Sequence, residues 1–291
     1  MSSDIMPMTE PRPRRQLSQD SGAADAALLF DEPGPRGRIL IAIGSVVAVI
    51  GIAALAAAVL YRLDLAGQLD YPKWRYFLGQ SVVSQLLEAA GTTLTLGGVA
   101  AVLTFPLGIA LGWLRLLDNR PIKWLIGLWI DAMRAVPMLL LVYFFLLVVP
   151  RFATISDFWK LALPIVMCTS ATTAEVFRSG VRALDRGQTE AAWALGMSPS
   201  LTMRLILAPQ ALRLMLPTLI TQMVTIIKGT TLAYVLAYPE LMYRGSTMIG
   251  QAKIDAHLSV FFQTYVIIAV LYIIVNWSLG ALARYIESRT R

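Results

Sequence analysis

The sequence predicts an all-α, polytopic membrane protein, a transmembrane bundle of about six spanning helices. Three observations carry this. Of 291 residues, 57% are hydrophobic and only 15% charged. The mean hydropathy is +0.64. Apolar runs of about 18 residues or more recur, each long enough to cross a hydrocarbon layer of roughly 30 Å as a helix.

Residues 1–38 are polar, with Pro, Asp, Ser and the basic strings PRPRR and RGR, and read as a disordered cytoplasmic tail. Residues 39–61 exceed the apolar part of a signal peptide. Their alanines resemble a cleavage site, yet the run is expected to stay as an extra first spanning helix. The connection 62–86 contains Trp74, Tyr76 and Phe77, which suit a periplasmic or interfacial position. Further spans are expected near 82–117, 124–149, 159–177, 212–237 and 260–282, followed by a cytoplasmic tail at 285–291. The first of these is overlong and should begin at the interface. Its breaks, Gly97-Gly98 and Pro106, are tolerable because neighbouring helices satisfy freed backbone groups.

The net charge of +7 is a topological signal rather than a nucleic-acid footprint. With six spans and a cytoplasmic N-terminus, 16 basic residues fall inside and 7 outside, which places both termini in the cytoplasm. Cys168 lies in an apolar stretch and reads as an inert thiol, with no disulfide available within the chain. A single histidine, His257, excludes a His-cluster metal site.

Residues 190–217 read EAAWALGMSPSLTMRLILAPQALRLMLP. Locally this is two short helices and a turn. The first runs near 187–195, and Gly196 takes the C-terminal cap, where positive φ costs a glycine little. Ser198 is the next N-cap and Pro199 the first helical residue, where no N–H is missed. Pro209 is expected to end the second helix and start the next span. The result is a rigid cytoplasmic elbow. A DNA-binding helix-turn-helix would have to leave the membrane, with only Arg204 and Arg213 to face a duplex. A mere connection could be far shorter, so a docking surface fits better.

Catalytic chemistry is missing. Around Lys228-Gly229-Thr230 the lysine precedes the glycine and no upstream glycine stands at P-loop spacing. No nucleophile–base set emerges either, so no cofactor and no autonomous catalysis are expected.

The segment EAAWALG…LMLP resembles the EAA motif of membrane subunits of ATP-binding cassette importers. AEVFRSGVRALDRGQTEAAWALGMS, LAPQALRLMLP, TLAYVL, YPEL and DAMRAVPMLLLVYFFLLVVP are similar to the polar amino acid branch, in the right order over about 87–284. The resemblance implies a type I importer (MetI-like) permease in the bacterial cytoplasmic membrane, with the loop 187–217 as its coupling element. It implies a cytoplasmic ATPase dimer carrying ATP and Mg, a second permease of the same or a related chain, and an external substrate-binding protein. Glu190 is carried over as the motif's acidic residue, Ala191 and Ala192 as small residues for close approach, and Gly196 as its turn, with Ser198 and Pro199 beside them. Glu190 also suits a helix N-terminal dipole, and the two readings are compatible. Within the branch, the strings are most similar to permeases for glutamate, aspartate and their amides. Permeases for basic amino acids or cystine are the alternative.

Charges inside spans need partners. Lys228 lies roughly 22 Å along its helix at 1.5 Å per residue. Two readings stand: an ammonium for a substrate carboxylate, or an internal ion pair with Glu175 or Glu88 or a wet contact between two permeases. The family often has Asp after this Lys, whereas here it is Gly229. Thr92, Thr93 and Thr95 either line a pathway or bond their own helix carbonyls. Asp131 with Arg134, and Glu175 with Arg178, stand three residues apart and are expected to form structural ion pairs near a gate. A secondary transporter would need an ion-coupling site and often an inverted repeat, neither of which is visible.

Overall fold

The computed structural model describes residues 34–290, so most of the expected tail lies outside the described residues. The chain divides into two units, Met1–Ala66 and Gly67–Arg291. In the first, α1 (Pro35–Leu65) starts with Pro35 in its first turn, carries Arg62 in its last turn and has no buried residue. A helix that is apolar on all sides is built for lipid or protein contact.

The second unit opens with α2 (Tyr71–Arg75) and a 3₁₀ turn, followed by α3 (Gln80–Leu114), α4 (Arg120–Ala135), α5 (Met138–Leu147) and α6 (Asp157–Arg182). Then come α7 (Arg186–Ala194), α8 (Pro199–Thr202), a π turn over Met203–Leu207 and α9 (Ala208–Gly229). A 3₁₀ segment, Thr230–Leu236, leads to α10 (Leu241–Asp255) and α11 (Phe261–Thr290).

Among the described residues, four helical stretches are long and apolar enough to cross a membrane: Pro35–Leu65, Gln80–Leu114, Pro199–Leu236 and Phe261–Leu282. A fifth is counted if Arg120–Ala135 and Met138–Arg151 form one broken span, bent by 95°. The span expected at 124–149 thus falls on two helices with a sharp bend between them. Pro137 has no N–H and pushes Val136 out of the helical region, to φ −76° and ψ 128°. The expected span at 159–177 lies within α6, which is not apolar enough by itself. Its buried face carries Thr169, Ser170 and Thr173, each giving its hydroxyl proton to the backbone of its own helix.

These polar residues are tolerable because α6 is enclosed by α3, α4, α5 and α9. The α3–α6 contact is the closest of them. Gly108 and Gly112 stand four apart on one face of α3. A Cβ on Gly108 would lie 2.5 Å from Thr173 Cβ, and one on Gly112 would lie 2.6 Å from the Ala174 carbonyl oxygen. One turn earlier, the buried hydroxyls of Thr104 and Thr169 share a 2.8 Å hydrogen bond. Small residues that let backbones approach, with hydroxyls bonded across, are how helices associate without a hydrophobic drive.

The remaining elements pack on this pair. Gly97 of α3 faces Ile227 and Thr230, and Gly180 of α6 faces Met215. At the end away from the elbow, Phe77, Val82 and Leu86 meet Met248, Ala252 and Val260. There Trp74 Nε1 and Gln263 Nε2 both donate to the Gln68 carbonyl, at 3.2 and 2.6 Å.

Gly112→Ala should press a methyl group on backbone and cost about 1–3 kcal/mol. A clearly lower thermal midpoint of the detergent-purified protein would register this. Gly98→Ala, where an added Cβ meets nothing within 4 Å, should unfold with the wild type.

Candidate functional site

The elbow between α6 and α9 is defined by its caps. Asp185 accepts a hydrogen bond from Gly187 N at 2.7 Å and starts α7. At the other end, Gly196 has φ +76°. Its N–H bonds Trp193 O at 2.9 Å, and Met197 N bonds Ala192 O at 3.1 Å. This pair of bonds satisfies the last carbonyls of α7 and fixes the turn. Ser198 then caps α8 through Leu201 N at 3.4 Å, with Pro199 in the first turn.

Pro209 stands in the first turn of α9 and so starts the next span as expected, but no break separates α9 from the helix before it. The chain runs as one rod from Pro199 to Leu236. A proline lacks the N–H that would bond four residues back, and the π turn over Met203–Leu207 widens the helix just before it. Gln210 Nε2 donates to Ile206 O at 2.9 Å and to Gln188 Oε1 at 3.4 Å, tying the second arm to the first. Phe177, Val181, Leu207, Ala208, Ala211 and Met215 form the core beneath.

The elbow's outer surface is distinctive. Ala192 is buried, which seats α7 on the body, while Glu190 and Ala191 are exposed. Trp193, Leu195, Leu201 and Leu205 are also exposed. The elbow thus exposes large apolar side chains as well as the Glu190 carboxylate. A cavity of about 480 Å³ lies at its base, lined by Val181, Leu184 and Leu207 with Arg182, Asp185, Arg186 and Thr189.

Close to the elbow, four charged side chains converge. Arg115, just past the end of α3, reaches Glu175 Oε1 of α6 through Nη1 at 2.5 Å. It also reaches Asp131 of α4, with Nη2 at 3.2 Å from Oδ2. Glu175 takes a second arginine, Arg178, at 3.0 Å. The expected Glu175–Arg178 spacing thus closes a bond. The Asp131–Arg134 pairing does not form: Asp131 turns to Arg115, and Arg134 is exposed without an ion pair among the described residues. Arg115 is one of the 16 basic residues expected on the cytoplasmic side and has no other expected role. Its sole sequence signal was its place at the end of a span.

Lys228 is exposed and pairs with neither Glu175 nor Glu88. It continues an exposed row on α9 with Thr218, Thr221 and Thr225. On α3, Glu88 and Thr95 are exposed and Thr92 half-buried, on the face begun by Ser81 and Ser84. The hydroxyls of Thr92 and Thr95 donate to Glu88 O and Gly91 O, at 3.1 and 2.8 Å. Their bonding is therefore helical, while their position is on a polar face. A polar row with one charge, exposed on an apolar helix, calls for water or protein rather than lipid. Thr93 turns the other way. It is buried and accepts from Leu241 N at 3.2 Å.

Glu240 had no expected role. Fully buried between the last two candidate spans, it accepts from Met242 N and Tyr243 N at 2.9 Å each and from Tyr272 Oη at 2.7 Å. Burial pushes its carboxyl above the usual range, against the pull of those three donors. A helix-capping carboxylate after Pro239 was the available signal.

Residues 104–291 match the family described as binding-protein-dependent transport system inner membrane component. Over 198 residues the chain is 33% identical to the probable glutamine ABC transporter permease protein GlnP of Bacillus subtilis, covering 68% of this chain and 89% of that one. It is 34% identical over 230 residues to the glutamate transport system permease protein GluD of Corynebacterium glutamicum, covering 77% and 82%. The crystal structure of an amino acid ABC transporter with histidines superposes with a TM-score of 0.64 at 24% identity, over 72% of this chain and 95% of that one.

Glu175→Gln removes the carboxylate that two arginines share, and Arg178 Nε is already buried without a partner. It should destabilise the protein by about 3 kcal/mol, read as a lower unfolding midpoint in detergent. Asp131→Asn, with a side chain 60% exposed, should stay near the wild type.

Proposed function

Because the chain belongs to the binding-protein-dependent transport inner membrane family and is the membrane permease of an importer, we propose that it moves polar amino acids by alternating access. Glutamate, aspartate and their amides are the proposed cargo. The single observation that carries the energy-coupling half is the elbow: a doubly capped turn with exposed Glu190, Trp193 and Leu195 over a solid core. Docked in a cleft of a separate ATPase, such an element passes on a push that a floppy loop would absorb. Hydrolysis of ATP takes place on that ATPase, with its Mg, and this chain supplies no catalytic group.

The remaining parts follow from the same reading. A second permease, the same chain or a related one, faces the polar rows of α3 and α9, and a substrate-binding protein delivers cargo from outside. The asymmetry of basic residues, 16 against 7, supports an elbow and both termini in the cytoplasm. Lys228, unpaired on its polar row, would receive a substrate carboxylate there, with Thr92 and Thr95 on the α3 row. Gly229 beside it adds no counter-charge, which suits acidic or polar cargo. The relatives named for glutamine and glutamate support that cargo class. Residues 39–61 add an anchor ahead of the importer core at 87–284.

Two measurements test this on the assembled transporter in proteoliposomes. Glu190→Arg reverses the docking charge, and Gly196→Val forces a branched residue into left-handed backbone at about 1–2 kcal/mol. Both should abolish substrate-stimulated ATP hydrolysis with the subunit still folded, whereas Gly196→Asn should keep most of it. Unchanged stimulation in Glu190→Arg and Gly196→Val would remove the docking role. Separately, labelled glutamate, aspartate or their amides should accumulate. Uptake of arginine or histidine without them would overturn the cargo assignment.

A further inference from the structure

We propose that Arg115 is the positioning residue through which motion of the elbow reaches the spanning helices; this rests on the coupling role proposed above. α6 ends at Arg182 and is followed within a few residues by α7, so displacement of α7 is applied directly to the end of α6. Glu175 and Arg178 lie in the last two to three turns of that helix. Arg115 binds Glu175 there and, with the other side of its guanidinium, both oxygens of Asp131, at 3.2 and 3.3 Å. One planar fork thus joins the ends of α3, α4 and α6. Its side chain is 14% exposed. It also lies along Gly127, where an added Cβ would already touch Nε at 3.6 Å.

The fork is redundant for holding the fold, and that is what points to transmission. α3 and α6 are already locked by Gly108, Gly112 and the Thr104–Thr169 bond. α4 is already seated by Ile130 against Ala171, Ala174 and Leu111. Loss of Arg115 leaves no orphaned buried charge, since Glu175 keeps Arg178 and Asp131 is largely in water. What disappears is the directional link. A guanidinium presents donors in a fixed planar geometry and can hold two carboxylates on two helices at once, whereas an ammonium is a point charge without that fork. Arg115 therefore sets how far the ends of α3 and α4 follow when α6 is pushed.

The test uses the transporter assembled with its ATPase and binding protein in proteoliposomes. Uptake of the labelled amino acid that the wild type takes up, glutamine first, and phosphate release are measured on the same vesicles. Arg115→Ala should assemble and hydrolyse ATP at about the wild-type rate, while taking up about tenfold less substrate per ATP. Arg115→Lys should recover part of that ratio, and Asp131→Asn, which weakens only the α4 arm, should fall between. A wild-type ratio in Arg115→Ala overturns the proposal, as does a parallel loss of uptake and hydrolysis in all three variants. Should Arg115→Ala fail to assemble, the ratio is read on Arg115→Lys and Asp131→Asn, and a wild-type value in both overturns it. Glu190→Arg in the same series separates the two readings. If it keeps substrate-stimulated hydrolysis, the elbow's docking role fails; if it loses that stimulation while Arg115→Ala keeps the wild-type uptake per ATP, only the role of Arg115 fails.

Discussion

The backbone-to-backbone approach of α3 and α6 is the constraint on which the rest of the protein depends. Gly108 and Gly112 carry no Cβ at the points where one would strike Thr173 or the Ala174 carbonyl. In lipid, apolar contact alone gives helices little reason to associate, so close packing and bonded hydroxyls have to do it. With α6 held there, its threonines and serine stay away from lipid, and α4, α5 and α9 find their places around it. The cluster of Arg115, Asp131, Glu175 and Arg178 exists because three helix ends are brought together by that packing.

The elbow is rigid for a different reason. Each of its turns is determined twice: by caps that satisfy backbone groups, worth about 1 kcal/mol apiece, and by a core of Phe177, Leu207, Ala211 and Met215 beneath. Beyond it, the rod from Pro199 to Leu236 has a π turn near one end and a 3₁₀ segment at the other. These departures from α geometry fall beside Pro209 and just after Lys228. They bracket the stretch whose polar row is exposed. The rod thus joins the exposed apolar surface of the elbow to the unpaired Lys228, without a break in the chain.

Much of this was legible in the order of residues. The helical membrane class follows from hydropathy, a one-dimensional property. The elbow's caps were equally local: Gly196, Ser198 and Pro199 act within a few residues of themselves, and no distant contact was needed to place them. Short-range rules also explain why the Glu175–Arg178 bond was foreseen, three residues apart on one helix.

Where local rules failed, a longer-range competitor had won. Pro209 opens α9 as local rules expect, but a π turn joins α9 to the helix before it without a break. Pro137 did the opposite, breaking an apolar run that hydropathy alone could not divide. Asp131 had a partner three residues away in Arg134 and took Arg115 instead, sixteen residues away. Glu240 found Tyr272 across the bundle. By itself the sequence determined the membrane class, the elbow and its caps, because those depend on neighbours along the chain. Only the tertiary structure decided which charges meet between helices, since such an ion pair depends on how closely two helices approach, and that is set by contacts between residues far apart along the chain.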